Sequence, residues 1–149
     1  MSAEEIQRNL SGAWRLMAGR SDGLSLLDLT ADGFWNSFTA ILLALPALGL
    51  SWISVAGELA VYGQEASRLG IVARLALADI GAWTLPLVGL ALVARPAGIA
   101  GRFVHYVVAT NWGSALVVWL MVPSSIIRSF APEAGDFAML LSLAMFLLS

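Results

Sequence analysis

Within the long apolar stretches of this chain only two side chains can ionise, Asp79 and His105. A charge in hydrocarbon is costly, so such residues are functional candidates by default. A proton relay between them would need proximity. Counting helical rise from the nearest arginines, Asp79 lies about 7 Å beneath one surface and His105 about 4 Å within the other. In a hydrocarbon core about 30 Å thick that leaves roughly 18 Å between them. Asp79 therefore reads as an interfacial carboxylate near the amino end of a helix, favoured by the helix dipole and bonded to Ser51, Ser54 or Arg128. His105 could serve as axial ligand to haem or a chlorophyll-type magnesium, but Arg102 and Tyr106 beside it make a snorkelling interfacial cluster the more economical reading. A second histidine is absent, which excludes a bis-histidine haem within the chain. The spans hold no carboxylate pair, nucleophile–base pair, HExxH or Gly-rich phosphate motif. The expectation is a non-enzymatic protein with no catalytic residue, metal ligand set or cofactor, and bound lipid as its small-molecule companion.

The backbone offers a second kind of chemistry. The form Leu45-Pro46-Ala47-Leu48-Gly49-Leu50 recurs as Leu85-Pro86-Leu87-Val88-Gly89-Leu90. Each proline frees a carbonyl four residues earlier, on Leu42 and Ala82, where water cannot replace the lost hydrogen bond. Asn111 has two amide donors and the same need of partners. With Thr110 or Ser114, it is expected to bond a freed carbonyl, that of Ala82. Two ordinary kinks explain the prolines; a transporter or channel site where broken helices meet at the midplane beside Asn111 is the functional alternative. Small residues four apart, Ala40 and Ala44, Ala78 and Ala82, Ala109 and Gly113, mark faces along which helices pack closely.

The elements that must carry these groups follow from composition. The chain is 59% hydrophobic and 12% charged, against about 45–50% and about 25% in soluble domains. The net charge of −2 gives no basic face for nucleic acid. The lack of cysteine excludes disulfides, zinc knuckles and thiolate nucleophiles. Charged residues fence off three apolar segments long enough to cross a bilayer: 34–54, with Trp35 and Trp52 as interfacial belt residues, 71–94 and 103–123. A polar link from Ser124 to Asp136, with Pro132, Glu133 and Gly135 as turn signals, leads to 136–149. This last segment reads as the opening of a fourth span, cut short. Near Met1 there is no run of signal-peptide type. Ser2 and Glu5 have the form of a capping box, and Ile6, Leu10, Trp14 and Met17 share a face of a helix over 3–19 that ends at Gly19. It reads as an amphipathic helix in the headgroup plane, although the same pattern suits a helix packed on protein. With no lysine in the chain, arginines set orientation: Arg8, Arg15, Arg20, Arg95 and Arg102 on one side, against Arg68, Arg74 and Arg128, place the amino terminus in the cytoplasm.

The stretch Asp32-Gly33-Phe34-Trp35-Asn36-Ser37-Phe38 leading into a proline-containing span, with Ala109-Thr110-Asn111-Trp112 in the third, resembles uncharacterised alphaproteobacterial inner-membrane proteins that look distantly Yip-domain-like. The resemblance implies a cytoplasmic amino end, five spans, and a scaffold or assembly role; it carries over no catalytic residues. The expectation is thus one all-α domain over 1–149, a polytopic transmembrane helical bundle with an amino-terminal amphipathic interfacial helix, in a bacterial inner membrane. Its expected function is that of an accessory or scaffold subunit packed against other integral-membrane subunits. A small transporter using Asn111, or a cofactor-bearing subunit using His105, are the alternatives.

Overall fold

The computed structural model describes residues 1–61, 67–130 and 135–147. Six α-helices follow in order: α1 Ala3–Met17, α2 Ala31–Ser37, α3 Thr39–Val61, α4 Arg68–Ala94, α5 Phe103–Phe130 and α6 Gly135–Leu147, with short 3₁₀ turns at Ser21–Leu26 and Ala100–Arg102. No strand occurs among the described residues. Three helical stretches are long and apolar enough to cross a membrane: Ala31–Leu59, Arg68–Ala94 and Ala100–Ile127.

The first of these is broken. Phe38 closes α2 with a tight bond from its N–H to the Trp35 carbonyl. The hydroxyls of Ser37 and Thr39 donate to the carbonyls of Phe34 and Asn36, each at 2.7 Å. Short hydroxyl side chains compete in this way with the helical ladder and bend it. Pro123, by contrast, does not end the third span, which runs on to Phe130. The expected polar link from Ser124 is instead helical as far as Phe130, because the Ser124 and Ser125 hydroxyls turn inward and bond the Met121 carbonyl. Gly135 opens α6; Pro132 and Glu133 lie outside the described residues, as does the Arg128 side chain.

α5 is the axis of the fold, touching α1, α2, α3, α4 and α6. Its Val108, Trp112 and Ala115 form one buried cluster with Ala40 and Ala44 of α3, Ala13 of α1 and Leu27. Alanines on one helix make room for the fully buried Trp112 on the other, so bulk is matched by absence of bulk.

α1 begins with the capping box: the Ser2 hydroxyl accepts from the Glu5 N–H, and the Glu5 carboxylate accepts from the Ser2 N–H. It ends in a Schellman closure at Gly19, whose φ of 74° suits glycine, with Gly19 N–H on the Leu16 carbonyl and Arg20 N–H on that of Arg15. Its inner face is not the one expected. Asn9, Gly12 and Ala13 are buried, flanked by Ile6, Leu10 and Leu16, while Trp14 is 53% exposed. The rotation follows from close approach: a Cβ on Gly12 would lie 2.8 Å from the Gly23 carbonyl oxygen, so only glycine lets the 3₁₀ turn at 21–26 seat on α1. Asn9 then clasps the following segment, accepting from the Asp28 N–H at 3.1 Å.

Candidate functional site

Asn111 is fully buried on α5, and its amide joins all three spans. Its Nδ2 donates to Ser37 Oγ at 2.9 Å, and its Oδ1 accepts from the Trp83 indole at 3.0 Å. Ser37 passes the chain on to the Phe34 carbonyl. The expected partner, the Ala82 carbonyl, is not the one used. Ser37 sits at the helix break, about 14 Å of helical rise before Pro46, so Asn111 is engaged near the entrance of the first span rather than beside its proline. A buried amide costs free energy unless its donors and acceptor are satisfied, and the hydroxyl freed by the α2–α3 break supplies that need.

The same logic recurs at two further crossings. Trp52 of α3 donates to Asp79 Oδ2 of α4 at 2.6 Å, and Trp119 of α5 donates to the Leu43 carbonyl of α3 at 3.0 Å. Asp79 is expected from sequence to pair with Ser51, Ser54 or Arg128; the bond across the helix crossing comes from the Trp52 indole, which spacing alone did not point to. Trp52, expected as an interfacial belt residue, also makes a helix contact. The carbonyl answered by Trp119 is that of Leu43, neighbour to the Leu42 carbonyl that Pro46 deprives of a donor.

Each span therefore contributes one tryptophan whose N–H bonds a different span: Trp52, Trp83 and Trp119. The sequence signal for these residues was tryptophan within the apolar segments, Trp35 and Trp52 in the first, Trp83 in the second, Trp112 and Trp119 in the third. An indole N–H in a dry environment requires an acceptor, but which acceptor depends on helix rotation, which spacing does not reveal.

The other candidates are dispersed. Pro46 and Pro86 are both exposed on the outside of the bundle and do not converge. Ala40 and Ala44 are fully buried against α5, whereas Ala78 and Ala82 are exposed on α4. Ala109 and Gly113 are half-buried, and a Cβ on Gly113 would touch nothing. His105 is exposed beside the half-exposed Tyr106. No group of three potential metal ligands occurs among the described residues.

One depression lies between α1 and the start of the first span, with Met1, Glu5, Asn9, Asp28, Gly33, Asn36 and Trp112 around it. Its cavity volume is about 10 Å³, about the room one water needs and far below the roughly 300–1,000 Å³ of ordinary small-molecule sites. Beside it Asp28 accepts from both the hydroxyl and the N–H of Thr30, at 2.7 and 3.1 Å. Those two bonds hold its carboxyl below the usual range, with a further contribution from the charge of Arg8 against partial desolvation. At Asp22, desolvation pushes upward but the hydrogen bonds and charges of Arg20 and Arg15 outweigh it and lower the carboxyl. Comparison with known proteins returns no matching family model, no matching curated protein and no matching solved structure.

Proposed function

We propose that this multi-pass membrane protein is a non-enzymatic accessory or scaffold subunit of a larger assembly in a bacterial inner membrane, with its amino terminus in the cytoplasm. The observation that carries the reading is the state of α4. Only 6% of its apolar window is buried within the chain, and Leu77, Leu85 and Leu92 are 71%, 69% and 75% exposed. Ala78 and Ala82 lie open between the first two of these. Small residues allow backbones to approach in lipid, and on α4 this face is turned away from the rest of the chain.

The polar groups that the spans bring together support the same reading. Asn111 is bonded to Ser37 and Trp83, and Asp79 to Trp52, so these polar groups fasten helix to helix. Transport through Asn111 is the weaker reading because the amide is fully buried and both halves of it are engaged. The resemblance to Yip-domain-like proteins adds an assembly role to the proposal.

Extraction in a mild detergent tests it. The protein should emerge in a stoichiometric complex that Ala78→Leu with Ala82→Leu dissociates while leaving the chain itself helical. A solitary, monodisperse monomer, or a complex indifferent to those substitutions, would overturn it.

A further inference from the structure

The geometry points to a lipid-phosphate site on the turn between α4 and α5, formed by Arg95 and Arg102 and selective for anionic glycerophospholipid headgroups. This inference rests on the membrane-crossing reading of α4 and α5 alone and is independent of membership in an assembly.

The turn joins the end of one span, Ala94, to the start of the next at Ala100. It must therefore lie at a bilayer surface whichever side that surface faces. Its shape is tightly held. Gly98, with φ 70°, places its N–H on the Arg95 carbonyl, and Ile99 N–H returns to the Ala94 carbonyl. This Schellman closure is followed by Arg102 N–H on the Ile99 carbonyl. Both arginines are thus carried on one short, fixed turn, and both are exposed. Ile99, 40% exposed, stands between them, and Tyr106, 50% exposed, lies one helical turn beyond Arg102. An apolar tip flanked by cations and a phenol suits the boundary between acyl chains and phosphates.

Charge distinguishes this turn from the rest of the same face. The chain there also presents Arg8, Arg15 and Arg20, but Arg15 and Arg20 are bound to Asp22 at 2.8 and 3.0 Å, and Arg8 acts on Asp28. Arg95 and Arg102 have no ion pair among the described residues. From Ile80 to Pro132 the sequence contains no acidic residue at all. Guanidinium forks match phosphate geometry, and a net-negative headgroup attracts the exposed arginines where a zwitterionic one, whose cationic amine offsets its phosphate, attracts them less.

Native mass spectrometry of the full chain, released from micelles supplemented with phosphatidylglycerol or with phosphatidylcholine, tests the site. The wild type and R15Q/R20Q should retain phosphatidylglycerol in preference. R95Q/R102Q should lose that retention by roughly thirtyfold, and R95K/R102K should recover part of it. Equal retention of the two lipids, or undiminished retention by R95Q/R102Q, would overturn the proposal. Displacement of the lipid by excess inorganic phosphate would reassign the site to a soluble anion, whereas indifference to phosphate supports a headgroup. Should the double variant lose helical ellipticity, R102Q alone is read in its place, and unchanged retention there counts against the site.

Discussion

Asn111 links three helices through one side chain, so its removal leaves orphans on two of them. In Asn111→Leu, the Trp83 N–H loses its acceptor and the Ser37 hydroxyl its donor inside the bundle. A buried group left unpaired costs about 1–3 kcal/mol, although interhelical bonds in lipid average nearer about 0.6 kcal/mol because the separated helices find other partners. A destabilisation of about 1–2 kcal/mol is expected, read as a shift in the unfolding midpoint in mixed micelles; an unchanged midpoint would show that the hub contributes nothing. Asp79 discriminates further. Asp79→Asn keeps an oxygen for the Trp52 indole and should be tolerated, while Asp79→Leu removes it and should blue-shift the tryptophan emission as the indole loses its polar partner; an unchanged spectrum would show that the bond is not made. At this scale the sequence identified Asn111 and Asp79 as groups in need of partners, because the cost of burying them depends on residue type alone. It did not identify Ser37, Trp83 or Trp52 as those partners. Helix rotation decides that, and hydrophobic spans with little amphipathic bias carry almost no record of it.

At the scale of elements, α1 and the 3₁₀ turn behave as one unit docked on α5. Gly12 and Gly23 are packed carbonyl against Cα, so Gly12→Ala should loosen the unit and expose the 17–30 linker to protease, while Gly49→Ala, where a Cβ meets nothing, should leave the digestion pattern unchanged. Loss of the capping box in Ser2→Ala should weaken α1 by about 1 kcal/mol, seen as faster amide exchange in its first turn. Acid should act on the same unit. The Asp28 carboxyl, held low by Thr30, contributes stability that is present above the ordinary carboxylate range, since a group depressed in the folded state binds fewer protons there than when unfolded. That contribution is lost as pH falls through the depressed value, so protease sensitivity of the linker should rise on acidification and Asp28→Asn should flatten the rise. The caps of α1 were legible because Ser2, Glu5 and Gly19 act through local geometry. Its inner face was not, because Trp14 and Met17 fit the helical period as well as Ala13 and Leu16 do. The choice falls to Gly12 and Asn9, whose value lies in a contact with residues 23 and 28. The break at Phe38 was hidden for a like reason: Ser37 and Thr39 are compatible with an unbroken helix.

For the molecule as a whole, the central claim is that three apolar helices cross a bilayer, so that α1 and the α4–α5 turn share one face while the start of α4 lies on the other. Fence posts of arginine and acid made these spans legible from sequence, since a charge in hydrocarbon is expensive wherever it occurs. The helix of the third span runs on past Pro123 to Phe130, although a proline followed by two serines looks in sequence like a stop. The serine hydroxyls instead bond the Met121 carbonyl within the helix. The absence of cysteine allows a direct test without background. Single variants Ala18→Cys, Ala97→Cys and Ser67→Cys, each in sealed vesicles of known orientation, are treated with a membrane-impermeant maleimide before and after permeabilisation. Ala18→Cys and Ala97→Cys should label together from one side, and Ser67→Cys only from the opposite side. Labelling of all three from the same side would contradict the account.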